Sequence, residues 1–306
     1  MLSVSSSKSR ISAQILRVLH TRRFDRGSAE HPDTGYRPDS TAWSILALST
    51  CNIDKNFISI ASLRLTDDQL PDGRVALSAQ HPGAYWPTAL AVLAWQKADQ
   101  CYANRSKAMS FLLSAEGKHW PREKNAPVAH DSAIVGWPWI ANTHSWIEPT
   151  SLALVALKAC GLGRHPRAIE ARKLLLDRQL PGGGWNYGNT IVYGQKLDPM
   201  FDSTGLALEA LAGDVDPSVV DSSLAYLERH ASRLATPQSL GWCILGLSAW
   251  QRRPQEAETL IANCLDRQNV YGAYGTSHLS LLLLALCSRK GLTEALLTEK
   301  SAPHGY

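Results

Sequence analysis

Six apolar runs punctuate this chain, and side-chain chemistry could concentrate at the residue that precedes or opens each: Asp39, Pro87, Glu148, Asp202, Gln238 and His278. Three of these are carboxylates. At a helix start a carboxylate accepts free N–H groups as a cap; withdrawn from water, it becomes a proton-transfer group whose strength its neighbours set. Near them in the sequence stand Trp43, Trp86, His144, Trp146 and Tyr187, whose faces can line an apolar cavity or attract a cation. Segment 136–150, GWPWIANTHSWIEPT, holds three of the ten Trp residues with His144 and Glu148. It reads either as a core plug or as a lid over an extended apolar ligand. His130, His144 and His165 are too dispersed to form a metal-ligand set, and no metal or other cofactor is expected. The six cysteines (Cys51, Cys101, Cys160, Cys243, Cys264, Cys287) include no CxxC pair and read as reduced thiols of a cytoplasmic protein.

The elements that must position these residues repeat. STAWSILAL (40–48), PTALAVLAW (87–95), PTSLALVAL (149–157), STGLALEAL (203–211), SLGWCILGL (239–247) and HLSLLLLAL (278–286) are six versions of one unit. Each is apolar nearly all the way round, as a helix buried by neighbours on every side must be. Between them lie amphipathic segments such as NRSKAMSFLLSAE (104–116), PRAIEARKLLLDRQ (166–179) and QEAETLIANCLDRQ (255–268), with apolar residues at helical spacing and a charged outer face. This contrast predicts an all-α fold with a ring of inner helices inside a ring of outer ones, in five to six hairpins. The insertions 117–147 and 186–201 then lie over one mouth, and loops that long in a compact domain usually serve function.

With 306 residues, 44% hydrophobic and 19% charged, the chain can bury one large core. We read residues 1–25 as a tail with a short helix, 26–290 as the ring domain and 291–306 as a C-terminal tail. Much of the net charge of +4 comes from Lys8, Arg10, Arg17, Arg22, Arg23 and Arg26 near the start. No basic stripe follows, which argues against nucleic-acid binding. The longest apolar run, LSLLLLALC at 279–287, falls short of the roughly 18 residues a membrane span requires. The Ser-rich, basic N-terminus is interrupted by Gln14 and Arg17, unlike a secretory signal. A peripheral membrane contact and a protein partner remain open.

A second signature follows the amphipathic segments: QHPGAYW (80–86), QLPGGGW (179–185) and QNVYGAY (268–274), with SAEGKHW (114–120) as a degenerate copy. Glycine permits the chain reversal, the aromatic packs over the preceding helix end, and the Gln amide can bond carbonyls left free there. On these residues the chain resembles the squalene–hopene cyclase and protein prenyltransferase β-subunit superfamily, over roughly residues 36–290. The resemblance implies an α/α toroid whose inner-helix starts face a central cavity, so that Asp39, Glu148, Asp202 and His278 converge at one mouth near Trp43, Trp86, His144, Trp146 and Tyr187.

Class II terpenoid cyclases protonate an alkene or epoxide with the middle Asp of a DxDDTA sequence. MFDST (200–204) keeps that Asp as Asp202, and RPDSTA (37–42) keeps it as Asp39; Met200, Ser203, Arg37 and Ser40 stand at the other acidic positions. The resemblance thus implies a divergent terpenoid-cyclase-like protein with Asp202, Asp39 and Glu148 as its acids, acting on or binding an isoprenoid or another long apolar molecule. The alternatives are a non-catalytic toroid binding a lipid or a protein partner, and a prenyltransferase β-subunit-like protein. In the last, Asp202 and His278 match zinc ligands while Thr204 stands where a thiolate belongs.

Overall fold

The computed structural model describes residues 2–123 and 126–297. Six inner helices follow the six apolar runs: α2 (Pro38–Thr50), α4 (Trp86–Ala98), α6 (Ile147–Ala159), α8 (Phe201–Leu211), α10 (Pro237–Ala249) and α13 (Thr276–Cys287). Proline in the first turn of α2, α4 and α10 presets the helical φ where an N–H would be unpaired in any case. Each inner helix packs on the next, and α13 packs back on α2, so the ring closes. The outer layer is α1 (Leu2–Thr21), α3 (Lys55–Thr66), α5 (Tyr102–Ser114), α7 (Pro166–Asp177), α9 (Pro217–His230) and α11 (Ala257–Asp266). The architecture is therefore the all-α toroid expected, with six hairpins among the described residues. A short α12 (Gln268–Tyr271) and α14 (Leu292–Leu296) follow α11 and α13, respectively.

Both segments expected as tails contribute helices to the core, residues 298–306 of the second lying outside the described residues. α1 lays Ile11, Ile15 and Leu19 into it and packs on α13 and α11, supplying the sixth outer helix. Its apolar face was visible, but nothing in the first residues reveals that the ring lacks an outer helix where its ends meet. At the other end of the chain, α14 buries Leu292 and Leu296 across the C-terminal ends of α4, α6, α8 and α10. The Glu209 carboxylate accepts the Thr293 N–H at 2.7 Å, and Lys97 donates to the carbonyl of Ala295. An acid at its first turn and a base at its last match the helix dipole, so α14 is a plug in the second mouth.

At the first mouth one hydrogen bond recurs. Thr41, Thr88, Thr150 and Thr204, all fully buried, use Oγ1 to accept the backbone N–H of Ser28 (2.9 Å), Val75 (3.1 Å), Trp137 (3.0 Å) and Trp185 (3.0 Å). Each bond ties the incoming loop to the first turn of an inner helix. The indoles of Trp137 and Trp185 donate onward to the carbonyls of Leu112 and Leu175. Replacing Thr150 with valine should strand the Trp137 N–H in a dry site and cost about 1–3 kcal/mol in urea unfolding, whereas serine should retain most of the stability.

The glycine-turn segments divide on these bonds. Gln179 reaches forward to α9, with Nε2 donating to Ser223 Oγ at 2.8 Å and Val219 O at 3.2 Å, instead of closing the preceding helix. Gln268 Oε1 accepts the Tyr274 N–H at 2.9 Å. The other two copies form no such clamp. Val75 takes the bond to Thr88, Gln80 is exposed, and Trp86 opens α4. Trp120 is half exposed, and the indole that packs on α5 is Trp137, beyond an intervening stretch that matching by spacing alone passes over.

The two insertions are joined. β3 (Ile191–Val192) and β4 (Gln195–Lys196) form a two-stranded ribbon within 186–201. Val128, in the 117–147 insertion, bridges to Val192 of that ribbon. Where the ring closes, the hairpin of β1 (Arg23–Phe24) and β2 (Gly27–Ser28) leads to Ala29 and Glu30. The Ala29 carbonyl accepts Thr276 Oγ1–H, and the Glu30 carboxylate accepts from Ser40 Oγ and from Ser277 N and Oγ. Glu30 thereby pins the starts of α2 and α13 together.

Candidate active site at the open mouth

The second residue of each inner helix is, in ring order, Asp39, Pro87, Glu148, Asp202, Gln238 and Ser277. Four of them, Asp39, Glu148, Gln238 and Ser277, come together at one mouth. They border a cavity of about 300 Å³ lined by Asp39, Glu148, Gln238 and His278 on its polar side and by Trp43, Trp86, Trp139 and Trp242 on its apolar side, with Ser277 and Leu281. Trp43 and Trp242 meet edge to face at 5.9 Å, as do Trp86 and Trp139. Five residues expected at the site therefore do line it: Asp39, Glu148, Trp43, Trp86 and His278.

Asp202 lies beside the cavity, where its Oδ2 accepts a hydrogen bond from Gln238 Nε2 at 3.2 Å. It is also close enough to Glu148 for the two charges to repel. Tyr187 is half exposed nearby, its hydroxyl pKa raised by desolvation and then by the charges of Asp202 and Glu148. His144 and Trp146 are not among the lining residues. Their rings pack on each other at 4.2 Å, and Gly188 lies against the Trp146 indole. Burial, then the nearby Arg178 guanidinium, lowers the pKa of His144. Arg178, itself buried, donates to the carbonyls of Ser145 and Gly188 and so ties the two insertions at this point.

The carboxylates differ in their surroundings. Asp39 is 5% exposed and bound in a fork by Arg37, Nε to Oδ1 at 2.8 Å and Nη2 to Oδ2 at 2.7 Å. Both its oxygens are occupied by the Arg37 guanidinium. The Glu148 side chain has no hydrogen-bond partner among the described residues and lines the cavity. Desolvation, followed by repulsion from Asp202, pushes its carboxyl up to about 8, so it keeps its proton at neutral pH. His278 on the opposite wall is lowered, chiefly by desolvation, and is neutral there. The site thus holds a neutral acid and a neutral base across an aromatic cleft.

Because the Glu148 carboxyl is raised above its ordinary value of 4.5 to about 8, its contribution favours folding fully below about 4.5 and is lost as pH climbs through 8. Buried Glu209, also raised by desolvation, adds a slope of the same sign, so a variant is needed to isolate Glu148. Glu148→Gln should melt higher than the wild type at pH 9 by the equivalent of about 1–3 kcal/mol, relative to their difference at pH 5. Thermal melts at the two pH values check this.

No group of three or more His, Cys, Asp and Glu residues that could hold a metal ion occurs among the described residues. The Thr204 hydroxyl, at the position a zinc-binding thiolate would take, is committed to the Trp185 N–H. Sequence reasoning missed Trp139 and Trp242 as lining residues. For Trp242 the signal existed, because STAWSILAL and SLGWCILGL place Trp43 and Trp242 at the same step of their units. For Trp139 the signal was only the Trp-rich segment 136–150 as a whole, since it is the fold of the insertion that turns Trp139, and not Trp146, toward the cavity. No helix is long and apolar enough to cross a membrane among the described residues.

No protein-family model matches the sequence, and no curated protein matches it. Solved structures do match. The type II terpene cyclase MstE from Scytonema, in complex with its product merosterolic acid A, superposes with a TM-score of 0.64 at 13% identity, over 93% of this chain and 97% of that one. An α-amylase from Clostridium perfringens gives 0.60 at 10% identity over 90% and 97%. The ent-copalyl diphosphate synthase from Streptomyces platensis gives 0.51 at 16% identity, over 85% of this chain and half of the other. One fold here carries unrelated chemistries. The chain has the terpenoid cyclase-like α/α toroid fold.

Proposed function

We propose that this protein binds an isoprenoid, or a similar apolar molecule, in the tryptophan-lined cavity and isomerises it by protonation and deprotonation. The observation that carries the reading is the pairing of Glu148, which retains its proton at neutral pH, with four indole faces in one cavity. Glu148 gives its proton to a double bond or epoxide of the ligand. In a low-dielectric cleft the resulting carboxylate and the cation attract strongly, and the indole faces of Trp43, Trp86, Trp139 and Trp242 spread that attraction over the cavity. Asp202, oriented by Gln238, holds the Glu148 proton in place until a ligand arrives. The cation then loses a proton back to Glu148, or to His278, which releases it to solvent while Glu148 takes one up, and the product is an isomer of the substrate. A cavity of about 300 Å³ lies at the low end of the range for small-ligand sites, which favours a short isoprenoid over a triterpene.

The MstE structures hold a geranylgeranyl dihydroxybenzoate substrate and the product merosterolic acid A, which supports an apolar ligand here. A second reading is favoured by the polar arc of Asp39, Gln238 and His278 and by the α-amylase of the same fold. Two carboxyl groups, one held protonated, also suit hydrolysis of a glycosidic bond. The experiment that separates them starts with native mass spectrometry of the protein from its own host, looking for a co-purified lipid. Prenyl alcohols, prenyl diphosphates, squalene, oxidosqualene and malto-oligosaccharides are then offered, and products are followed by chromatography and mass spectrometry. An isomeric prenyl product is expected. A bound lipid without turnover would mean a lipid-binding protein, and sugar hydrolysis would replace the first reading with the second.

A further inference from the structure

The plugged end of the barrel carries a pair of thiols. Cys51 follows the last turn of α2, and Cys287 ends α13, 236 residues later. These helices are the first and last of the inner ring, so the pair sits on the line where the barrel closes. Their Sγ atoms approach to 2.7 Å, and both are free, half-buried thiols. The other four cysteines form no such pair. Cys101, Cys160 and Cys264 turn their sulfurs to Ser62 O, Gln96 Oε1 and Ala235 O, and Cys243 is fully buried.

The charges beside the pair are cationic. Lys8 on α1 and Arg253 after α10 both act on the Cys287 sulfur, and its pKa falls to about 7, first through the hydrogen bond from Cys51. Arg253 and Arg289 line an open pocket of about 500 Å³ with Ser7, Gln255, Glu258 and Thr259. Glu258, 3.7 Å from Arg289, is the one acid on that wall. A partly ionised thiol beside the Lys8 ammonium and the Arg253 guanidinium, the latter shared with that open pocket, is the setting in which thiolates react.

We infer that Cys51 and Cys287 form a reversible intramolecular disulfide that locks the first and last inner helices together, with an anionic low-molecular-weight disulfide of the glutathione type as the oxidant. The Cys287 thiolate attacks one sulfur of that disulfide and releases one thiolate. Cys51, giving its proton to solvent, then attacks the Cys287 sulfur of the mixed disulfide and releases the second. Two protein thiols are oxidised, one small disulfide is reduced to two thiols, and no oxygen is needed. This holds whatever ligand occupies the cavity at the other mouth.

The full-length protein is equilibrated with glutathione disulfide, quenched with acid, alkylated and digested. The expected result is loss of two of the six thiols, a peptide linking Cys51 to Cys287, and recovery of all six on reduction. The cross-linked form should melt higher by at least about 5 °C, because the bond closes a very long loop. Cys51→Ser should trap glutathione on Cys287. Arg253→Gln should slow the reaction with glutathione disulfide several-fold while leaving the reaction with neutral dithiodipyridine unchanged. Six alkylated thiols after equilibration, or adducts confined to Cys101 and Cys160, would overturn the inference. The wild-type peptide map decides the matter even where a variant does not fold.

Discussion

Replacing Glu148 with glutamine is expected to lower kcat by at least about a thousandfold, some 4 kcal/mol of transition-state stabilisation, with little change in KM. The amide keeps the shape and polarity of the neutral carboxyl that faces the cavity, so ligand binding survives, but it has no proton to give. A loss in kcat and kcat/KM together, at constant KM, marks an interaction made only in the transition state. The wild-type rate should hold at neutral pH and fall as pH passes about 8, where Glu148 ionises. Asp202 tests the same arrangement with opposite logic. Its charge is the second cause holding Glu148 high, so Asp202→Asn should move the alkaline limb to lower pH while leaving measurable turnover. Complete inactivity of Asp202→Asn beside an active Glu148→Gln would make Asp202 the acid and Glu148 its partner. Initial rates at saturating ligand between pH 5 and 9 distinguish these outcomes.

The largest effect on stability is expected at Gly205. α8 and α10 approach each other through two glycines. A Cβ at Gly205 would lie 2.4 Å from the Trp242 backbone, and one at Gly246 would lie 2.4 Å from the Gly205 carbonyl oxygen. Neither obstacle is the end of a flexible side chain, so relief requires the helices to separate within a closed ring that offers no free direction. Gly205→Val should therefore cost about 3 kcal/mol or more. It should also displace Trp242 from the cavity wall and weaken ligand binding beyond the loss of stability. Gly213→Ala is the control: its left-handed φ of 77° makes it a backbone test, and a Cβ there meets nothing, so only the conformational cost of about 1 kcal/mol should appear. Urea unfolding of both variants, with intrinsic tryptophan fluorescence as the probe, measures the difference.

The sequence by itself determined the ring. STGLALEAL and HLSLLLLAL are apolar on all sides, while PRAIEARKLLLDRQ is apolar on one. Local periodicity of this kind reports how many neighbours a helix must have, because an unburied apolar face is costly wherever it occurs. It also marked the start of each inner helix, and the family resemblance, in which those starts face the cavity, pointed to Asp39, Glu148, Asp202 and His278 there.

What it left undecided depends on contacts between segments far apart in the chain. Asp39 and Asp202 look alike before an apolar run, yet Arg37 closes a fork around one while Gln238, from the next helix of the ring, binds the other. Trp146 and Trp139 are seven residues apart in one insertion, and only the path of that loop, set by the Trp137 N–H to Thr150 and by Arg178, sends Trp139 to the cavity. The same holds for α1 and α14, whose few apolar residues acquire meaning from the gap and the open end they fill. Glu148 is the clearest case. Its residue type was legible, but its retained proton comes from desolvation and from Asp202 on a neighbouring helix, quantities that exist only once the ring has closed.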